Sequence, residues 1–158
     1  MRGRASPLGA APAPASAPSS RRLVTGGTRG IGLATAELLV AGGARVCVTG
    51  RKAEHLDAAL RRLGGPEHAI GVCGSSDDES HQATVIDAVI ASFGRIDLLV
   101  NNAGINPAFG PLGDLEPRAA RKIFDVAELI TFLLSDRSDW ITGQVVTIDG
   151  GALLAGPS

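Results

Sequence analysis

The feature that most constrains the fold is an alternation of short apolar stretches with longer amphipathic stretches between residues 21 and 100. Short apolar runs are typical of strands, and apolar residues that recur every three to four positions are typical of helices. A strand-helix order that repeats in this way predicts a parallel, doubly wound α/β sheet with right-handed crossovers. Strands are predicted to end at Leu23-Val24 and to cover 45–49, 69–73 and 96–100, with helices over 31–40, 53–63 and 77–93.

Two of these stretches also predict what is buried. The fourth predicted strand, IDLLV, has no polar alternation after Asp97, which is typical of a strand covered on both faces. In the first predicted helix, four apolar residues share one face, which is expected to pack on the sheet: Leu33, Ala36, Leu39 and Val40.

The length of 158 residues allows one domain and is too short for two of ordinary size. A net charge of −1 gives no indication of a nucleic-acid partner, and no apolar run approaches the ~20 residues of a membrane span. The first twenty residues, MRGRASPLGAAPAPASAPSS, contain four prolines that interrupt any signal-peptide core. We predict a disordered Ala/Pro-rich tail over 1–20, one folded domain over 21–158 and a cytoplasmic location.

The two cysteines, Cys47 and Cys73, lie in apolar runs without the spacing of metal ligands. Both are predicted to be buried thiols of a reduced cytoplasmic protein. They fall on neighbouring predicted strands, where a bridge would need suitable geometry, and neither a disulfide nor a metal site is predicted.

A glycine-rich run, TGGTRGIG, joins the first predicted strand to the first predicted helix. Gly26 permits a tight turn, Gly30 lets the backbone approach a pyrophosphate, and Gly32 lets the helix pack on the strand. Unbonded N–H groups and the dipole at the helix start favour the anion. A turn that binds no ligand is the alternative. The predicted cofactor-binding residues of this run are Gly26, Thr28, Arg29, Gly30, Ile31 and Gly32.

Four motifs in a fixed order make the sequence resemble the short-chain dehydrogenase/reductase family. They are TGGTRGIG at 25–32, FGRIDLLVNNAG at 93–104, FLLSD at 132–136 and ITGQVVTIDGG at 141–151, and the resemblance extends over nearly all of 21–151. It implies a Rossmann-like dinucleotide-binding fold and an oxidoreductase that uses NAD(P). It also implies that Asn102, Ala103 and Gly104 lie along the ribose side of the cofactor.

The end of the second predicted strand indicates which dinucleotide is bound. A cofactor without a 2′-phosphate usually meets an acid there, whereas this chain has Thr49-Gly50-Arg51 and no acid before Glu54. Arg51 is suited to a charge-assisted contact with a 2′-phosphate, and Arg29 matches the NADP-preferring pattern of the family. Solvated surface arginines are the alternative. NADP(H) is therefore predicted in preference to NAD(H).

One departure from the family concerns the adenine base. The family usually places an Asp near the end of the third strand to contact this base, and here Gly74 stands in that place. The resemblance therefore implies a weaker hold on adenine.

Hydride transfer to a carbonyl requires a group that gives a proton to the developing alkoxide. In the family this group is a Tyr, with a Lys four residues later and a Ser that orients the carbonyl. This chain contains no Tyr, and its two lysines, Lys52 and Lys122, lie outside such an arrangement. No catalytic residue is predicted.

The family's central segment is missing between the fourth strand and the last helix. Residues 121–126, RKIFDV, resemble the start of the family's next long helix, and residues 127–136, AELITFLLSD, resemble its last helix. Roughly a hundred residues of a complete doubly wound fold are absent between them. We hypothesise a deletion at Asp125-Val126, a dipeptide that fits both sides of the join. An intact intervening segment at the locus would refute this hypothesis.

Across this join, which we call the seam, the sequence predicts one helix over 117–134 with Pro117 in its first turn, and after that helix a strand over 144–148. That strand must pair beside the fourth strand or leave a sheet edge exposed. An exposed edge would favour homo-oligomer formation or edge-strand association. The predicted fold is therefore a doubly wound sheet truncated in its second half.

Three functions are compatible with this sequence. The first is a protein that binds NADP(H) and is inactive as a reductase, because the Ser-Tyr-Lys segment is missing. The second is an active carbonyl or alcohol oxidoreductase that uses a different acid or is completed by a partner chain. The third is a non-enzymatic remnant or interaction module. No substrate is predicted, because the family's substrate loop is missing.

Overall fold

The computed structural model describes residues 20–103 and 117–148, and of residues 117–122 only the backbone. The predicted tail, apart from Ser20, and the predicted site residue Gly104 lie outside the described residues. Strands and helices follow in the predicted order through the fourth strand. The elements are β1 (Arg21–Val24), α1 (Gly30–Ala41), β2 (Arg45–Gly50), α2 (Ala53–Arg62), β3 (Ala69–Cys73), α3 (Glu79–Phe93), β4 (Leu98–Val100), α4 (Pro117–Leu133) and a 3-10 turn (Asp136–Ser138).

The four strands form one parallel sheet in the order β3-β2-β1-β4. In its central row, Leu23 of β1 lies between Cys47 of β2 and Leu99 of β4. The chain runs outward from β1 to β3 and then returns across β1 to β4, which confirms the predicted doubly wound, Rossmann-like sheet. Ligands of such sheets bind outside the carboxyl ends of the strands, where the strand order reverses. Here that point lies between β1 and β4.

One face of the sheet packs under three helices, α1, α2 and α4. The predicted apolar face of α1 is confirmed, since Leu33, Ala36 and Leu39 are buried in this core and Val40 packs against it. Burial of this kind is the main favourable contribution to folding. Other members of this core are Val24, Ala44, Val46, Val48, Leu56, Ala59, Leu63, Ala69 and Val100.

The opposite face packs under α3, the one helix described on that side. Its smaller core is formed by Leu23 and Cys47 from the strands and by Val85, Val89 and Phe93 from α3. Leu99 lies in register with Leu23 and so points to this face, yet it is 50% exposed. The prediction that the fourth strand is covered on both faces is therefore wrong on this side. Among the described helices, none covers Leu99 on this face.

Helix α4 is continuous from Pro117 to Leu133, as predicted across the seam. It packs on α1, and Ile130 and Leu134 contact the larger core. The buried Arg22 of β1 secures its end, because Nη1 donates to the carbonyl of Leu134 at 3.2 Å and Nε donates to Oγ of Ser20 at 3.0 Å. The end of α4 is thus fixed to β1 by side-chain hydrogen bonds as well as by apolar packing.

Two further predictions are wrong. Residues 144–148 form no strand, and Val145 is 96% exposed. A strand needs a partner for its backbone N–H and C=O groups, and in the described part of the chain β4 is the outermost strand on that side. Cys73 is exposed because it ends the edge strand β3, whereas Cys47 is buried as predicted. Both thiols are free, and they stand three register positions apart, since Cys73 pairs with Gly50.

Candidate dinucleotide-binding site

The loop between β1 and α1 brings the glycine-rich run to the carboxyl edge of the sheet. It is anchored to the end of β2, because Gly27 N donates to the carbonyl of Thr49 at 3.0 Å and Gly26 N donates to Oγ1 of Thr49 at 3.2 Å. The backbone turns at Gly26, whose φ of 64° lies in the left-handed region that favours glycine. The strand therefore ends in a tight turn directly before the helix, as the sequence predicted.

The glycines of this loop are needed for different reasons. A Cβ at Gly32 would collide with Nδ2 of Asn102 and lie 2.5 Å from the carbonyl oxygen of Gly26, and a Cβ at Gly26 would lie 3.0 Å from Cα of Ala103. A Cβ at Gly30, whose φ is 56°, would meet no atom within 4 Å. Gly26 and Gly32 let two protein segments approach each other, whereas Gly30 borders open space that a ligand can enter.

The start of α1 has the properties of an anion site. Its N-cap, Arg29, is extended and no side chain caps the helix, and no acid lies in the first turn. The first N–H groups of a helix have no partner within the helix and carry a partial positive charge. A pyrophosphate fits this position, where Gly30 and Ile31 would offer backbone N–H groups beside the open space at Gly30.

Thr25 and Asn102 join the glycine loop to the segment after β4. Backbone N–H groups of Asn102 and Ala103 donate to Oγ1 of Thr25 at 3.0 and 3.1 Å. Nδ2 of Asn102 donates to the carbonyls of Thr25 and Gly26 at 3.1 and 3.2 Å. Asn102 therefore holds the loop, and the exposed Ala103 is the neighbour available to a ligand on the β4 side. The sequence reasoning missed Thr25, although its place as the first residue of the motif was a signal for it.

The other predicted residues lie toward β2 and β3. A Cβ at Gly50 would collide with Cγ2 of Thr28, so the glycine loop packs on the end of β2. Arg51 follows and is exposed. A hydrogen bond from Ser75 is the main cause that lowers the pKa of Asp77, and the charge of Arg51 lowers it further. Arg51 therefore lies within electrostatic range of the loop after β3.

Among residues 20–103 and 117–148, no three His, Cys, Asp or Glu side chains are grouped so that they could hold a metal ion. No helix in that part of the chain is long and apolar enough to cross a membrane. Lys52 is exposed at the N-cap of α2, and the side chain of Lys122 is not described. Because the sequence contains no Tyr, the carboxyl edge has no Tyr-Lys pair.

Comparison with known proteins agrees with this geometry. The sequence model described as short chain dehydrogenase matches residues 21–147. Dehydrogenase/reductase SDR family member 4 of Caenorhabditis elegans is 38% identical over 106 residues, which cover 66% of this chain and 41% of that protein.

Solved structures give the same assignment. The L-sorbose reductase of Gluconobacter frateurii, complexed with NADPH and L-sorbose, has a TM-score of 0.55 and 25% identity over 78% of this chain and 47% of its own. A short chain dehydrogenase from Burkholderia cenocepacia in complex with NADP has a TM-score of 0.51 and 36% identity over 75% and 49%. The chain spans about half the length of these proteins. The match over 21–147, the doubly wound parallel sheet and the glycine loop at its carboxyl edge show that this chain belongs to the short-chain dehydrogenase/reductase family of NAD(P)-binding oxidoreductases.

Proposed function

We propose that the chain binds NADP(H) at the carboxyl edge of its sheet and does not reduce carbonyl compounds by the family mechanism. The observation that carries the first part is the glycine loop, where open space at Gly30 adjoins the uncapped start of α1. The pyrophosphate would lie there, with Thr28, Arg29, Ile31 and the two packed glycines forming its seat.

Preference for the 2′-phosphate is assigned to Arg51. This exposed guanidinium follows the end of β2, where the ribose 2′ position of a bound dinucleotide lies. A guanidinium pairs with a phosphate through charge-assisted hydrogen bonds, and an acid that would repel the phosphate is missing before Glu54. Two similar proteins whose structures contain NADPH or NADP support the same choice.

The proposed lack of reductase activity depends on the proton donor. The family's Tyr is absent from the sequence, and Lys52, the lysine near the described edge, has no Tyr four residues before it. A positioned general acid contributes about 10²–10⁴-fold to such a reaction. Binding of the cofactor can therefore persist while turnover falls to background.

A titration with NADPH, followed by nicotinamide fluorescence and thermal unfolding, tests the binding. We expect saturation and a higher melting temperature, since a ligand at a hundredfold excess over its Kd stabilises the folded state by about 2.7 kcal/mol. Arg51→Gln should weaken NADPH binding about tenfold or more and leave NADH binding nearly unchanged, because a hydrogen bond to a charged group is lost. Arg61→Gln, an exposed arginine at the end of α2, is the matched control. If Arg51→Gln binds NADPH as tightly as the wild-type chain does, Arg51 does not contact the 2′-phosphate.

Measurements of NADPH oxidation distinguish an inactive NADP(H)-binding protein from an active oxidoreductase. With a panel of aldehydes and ketones, NADPH oxidation is expected to stay at background. Oxidation above background would instead support an active oxidoreductase that uses another acid or a partner chain. Failure to bind NADPH at all would leave only a non-enzymatic remnant or interaction module.

A further inference from the structure

Charged side chains are distributed unevenly about the glycine loop at the carboxyl edge of the sheet. The segments that follow β1 and β2 carry three exposed cationic side chains, Arg29, Arg51 and Lys52. The described residues that follow β4, at 101–103, carry no charge. In NADP(H) the anionic groups are the pyrophosphate and the 2′-phosphate, which both belong to the phosphorylated adenosine diphosphate part. The cations therefore lie on the side of the sheet that suits this part of the molecule.

The hydrogen-bond donors on the β4 side are used within the protein. Nδ2 of Asn102 donates to the carbonyls of Thr25 and Gly26 at 3.1 and 3.2 Å. The backbone N–H groups of Asn102 and Ala103 donate to Oγ1 of Thr25. The exposed side chain of Ala103 is a methyl group and offers no polar atom. These three donor groups hold the glycine loop, so they are not available to a ligand on the β4 side.

The strands show the same difference between the two sides. A complete doubly wound fold has two βαβαβ halves, and each half holds one nucleotide of a dinucleotide. The first half is present in full as β1-α1-β2-α2-β3. Of the second half, β4 is the one strand in the described part of the chain, and the helix that follows it, α4, packs on α1. The described residues therefore fit the phosphorylated adenosine half of NADP(H) and do not fit its nicotinamide half.

On the basis of the proposed binding of NADP(H), we infer that the ligands of this chain are 2′-phosphorylated adenosine diphosphate ribose compounds, with or without a nicotinamide. Their pyrophosphate fits the uncapped start of α1 beside Gly30, and their 2′-phosphate fits Arg51. Both groups are present in 2′-phospho-ADP-ribose, which has no nicotinamide. NADP⁺ and NADPH differ only in the nicotinamide ring, whose positive charge in NADP⁺ finds no charged side chain at 101–103. The chain therefore binds all three compounds with nearly equal affinity.

Isothermal titration calorimetry of the full chain with NADPH, NADP⁺ and 2′-phospho-ADP-ribose tests this ligand class. The three dissociation constants should agree within about threefold, because one net hydrogen bond to the nicotinamide would already change the affinity about tenfold. A larger preference for either dinucleotide over 2′-phospho-ADP-ribose overturns the inference and leaves the proposed function standing. If none of the three compounds binds, the proposed function is overturned as well.

Two variants show which half of the ligand contacts the chain. Arg51→Gln should weaken the binding of all three compounds by the same factor, about tenfold or more, because each carries the 2′-phosphate. The control Arg61→Gln should leave all three affinities unchanged. Ala103→Asp places a carboxylate on the β4 side, which should repel all three phosphorylated ligands alike. A carboxylate beside a bound nicotinamide would instead favour the positively charged ring of NADP⁺. A higher ratio of NADP⁺ to NADPH affinity in Ala103→Asp, or an unequal loss in Arg51→Gln, therefore overturns the inference.

Discussion

The two faces of the sheet are built from the same four strands and are covered to different extents. On one face, α1, α2 and α4 enclose a continuous core in which Leu39, Val46 and Val48 are at most 1% exposed. On the other face, α3 packs over β1 and β2, while Leu99 of β4 is half exposed. Of the described helices, α1, α2 and α4 lie on the first face and α3 alone lies on the other. The four strands therefore carry apolar residues on both faces, whereas the described helices cover chiefly one of them.

The exposed side of α3 belongs to the same incomplete face. Ile86 and Ile90 are 49% and 47% exposed, although the helix buries His81, Val85, Val89 and Phe93. An apolar residue alone on a surface is ordinary, whereas two exposed isoleucines one helical turn apart form an apolar stripe that favours contacts with other protein surfaces. The comparison yields four predictions, which begin with the largest change in stability.

The largest expected effect is a cavity in the enclosed core. Leu39→Ala should lower the free energy of unfolding by about 2–5 kcal/mol, because a fully buried side chain leaves a void. Ile90→Ala, the matched variant on the open face, should change it by less than about 0.5 kcal/mol. Urea unfolding of both variants measures the difference. Similar losses would show that the open face is packed as tightly as the other.

A smaller effect is expected where α4 joins the enclosed core. Ile130 is only partly buried there, so Ile130→Ala should cost about 1–2 kcal/mol, less than a fully buried isoleucine would. Phe124, 54% exposed on the same helix, gives the control Phe124→Ala. Amide hydrogen exchange should rise in α4 and not in β1 or β2, because a locally attached element opens on its own. If exchange becomes faster by the same factor in α4, β1 and β2, then α4 does not open independently of the sheet.

The pH dependence of stability tests the small core under α3. Burial raises the pKa of the Cys47 thiol to about 12. In the unfolded chain the thiol titrates near 8.5, so its neutral form is favoured by folding. This stabilisation of the folded state is complete below about pH 8.5 and is lost as the pH rises toward 12. The free energy of unfolding should therefore fall by at most about 1.4 kcal/mol per pH unit in this range. Cys47→Ala should flatten the decline between pH 9 and 10.5, whereas the exposed Cys73→Ala should leave it unchanged. If the free energy of unfolding falls with pH at the same rate in both variants, then Cys47 is in contact with water in solution.

Local patterns in the sequence predicted most of the fold. The first three strands and all four helices lie where periodicity placed them, and the apolar face of α1 enters the core. These features depend on residues close together in the chain, where spacing records which side is buried. The structure of the glycine loop could also be predicted from the sequence, because its turn, the open space beside it and the start of α1 all lie within eight residues.

What the sequence did not reveal depends on partners distant in the chain. Residues 144–148 have a strand-like sequence, but a strand exists only where another strand accepts its hydrogen bonds. Leu99 is half exposed because no described helix covers β4 on that face, and an apolar run in the sequence does not show which helices pack against it. The link from Thr25 to Asn102 spans 77 residues, and the contact of His81 with Gly74 depends on how α3 sits on β3. Sequence spacing carries no direct signal for contacts of this kind.

The smallest change in stability is expected on the open face itself. Replacing both Ile86 and Ile90 by Gln removes exposed apolar area without altering the net charge of −1. Since both side chains are about half exposed, the free energy of unfolding should change by less than about 0.5 kcal/mol for each. Association should change more, because contiguous apolar surface promotes contacts between chains. Light scattering over a range of protein concentrations should show weaker self-association than in the wild type. If the double variant associates as strongly as before, then the edge of β4, rather than the side of α3, is the surface through which chains meet.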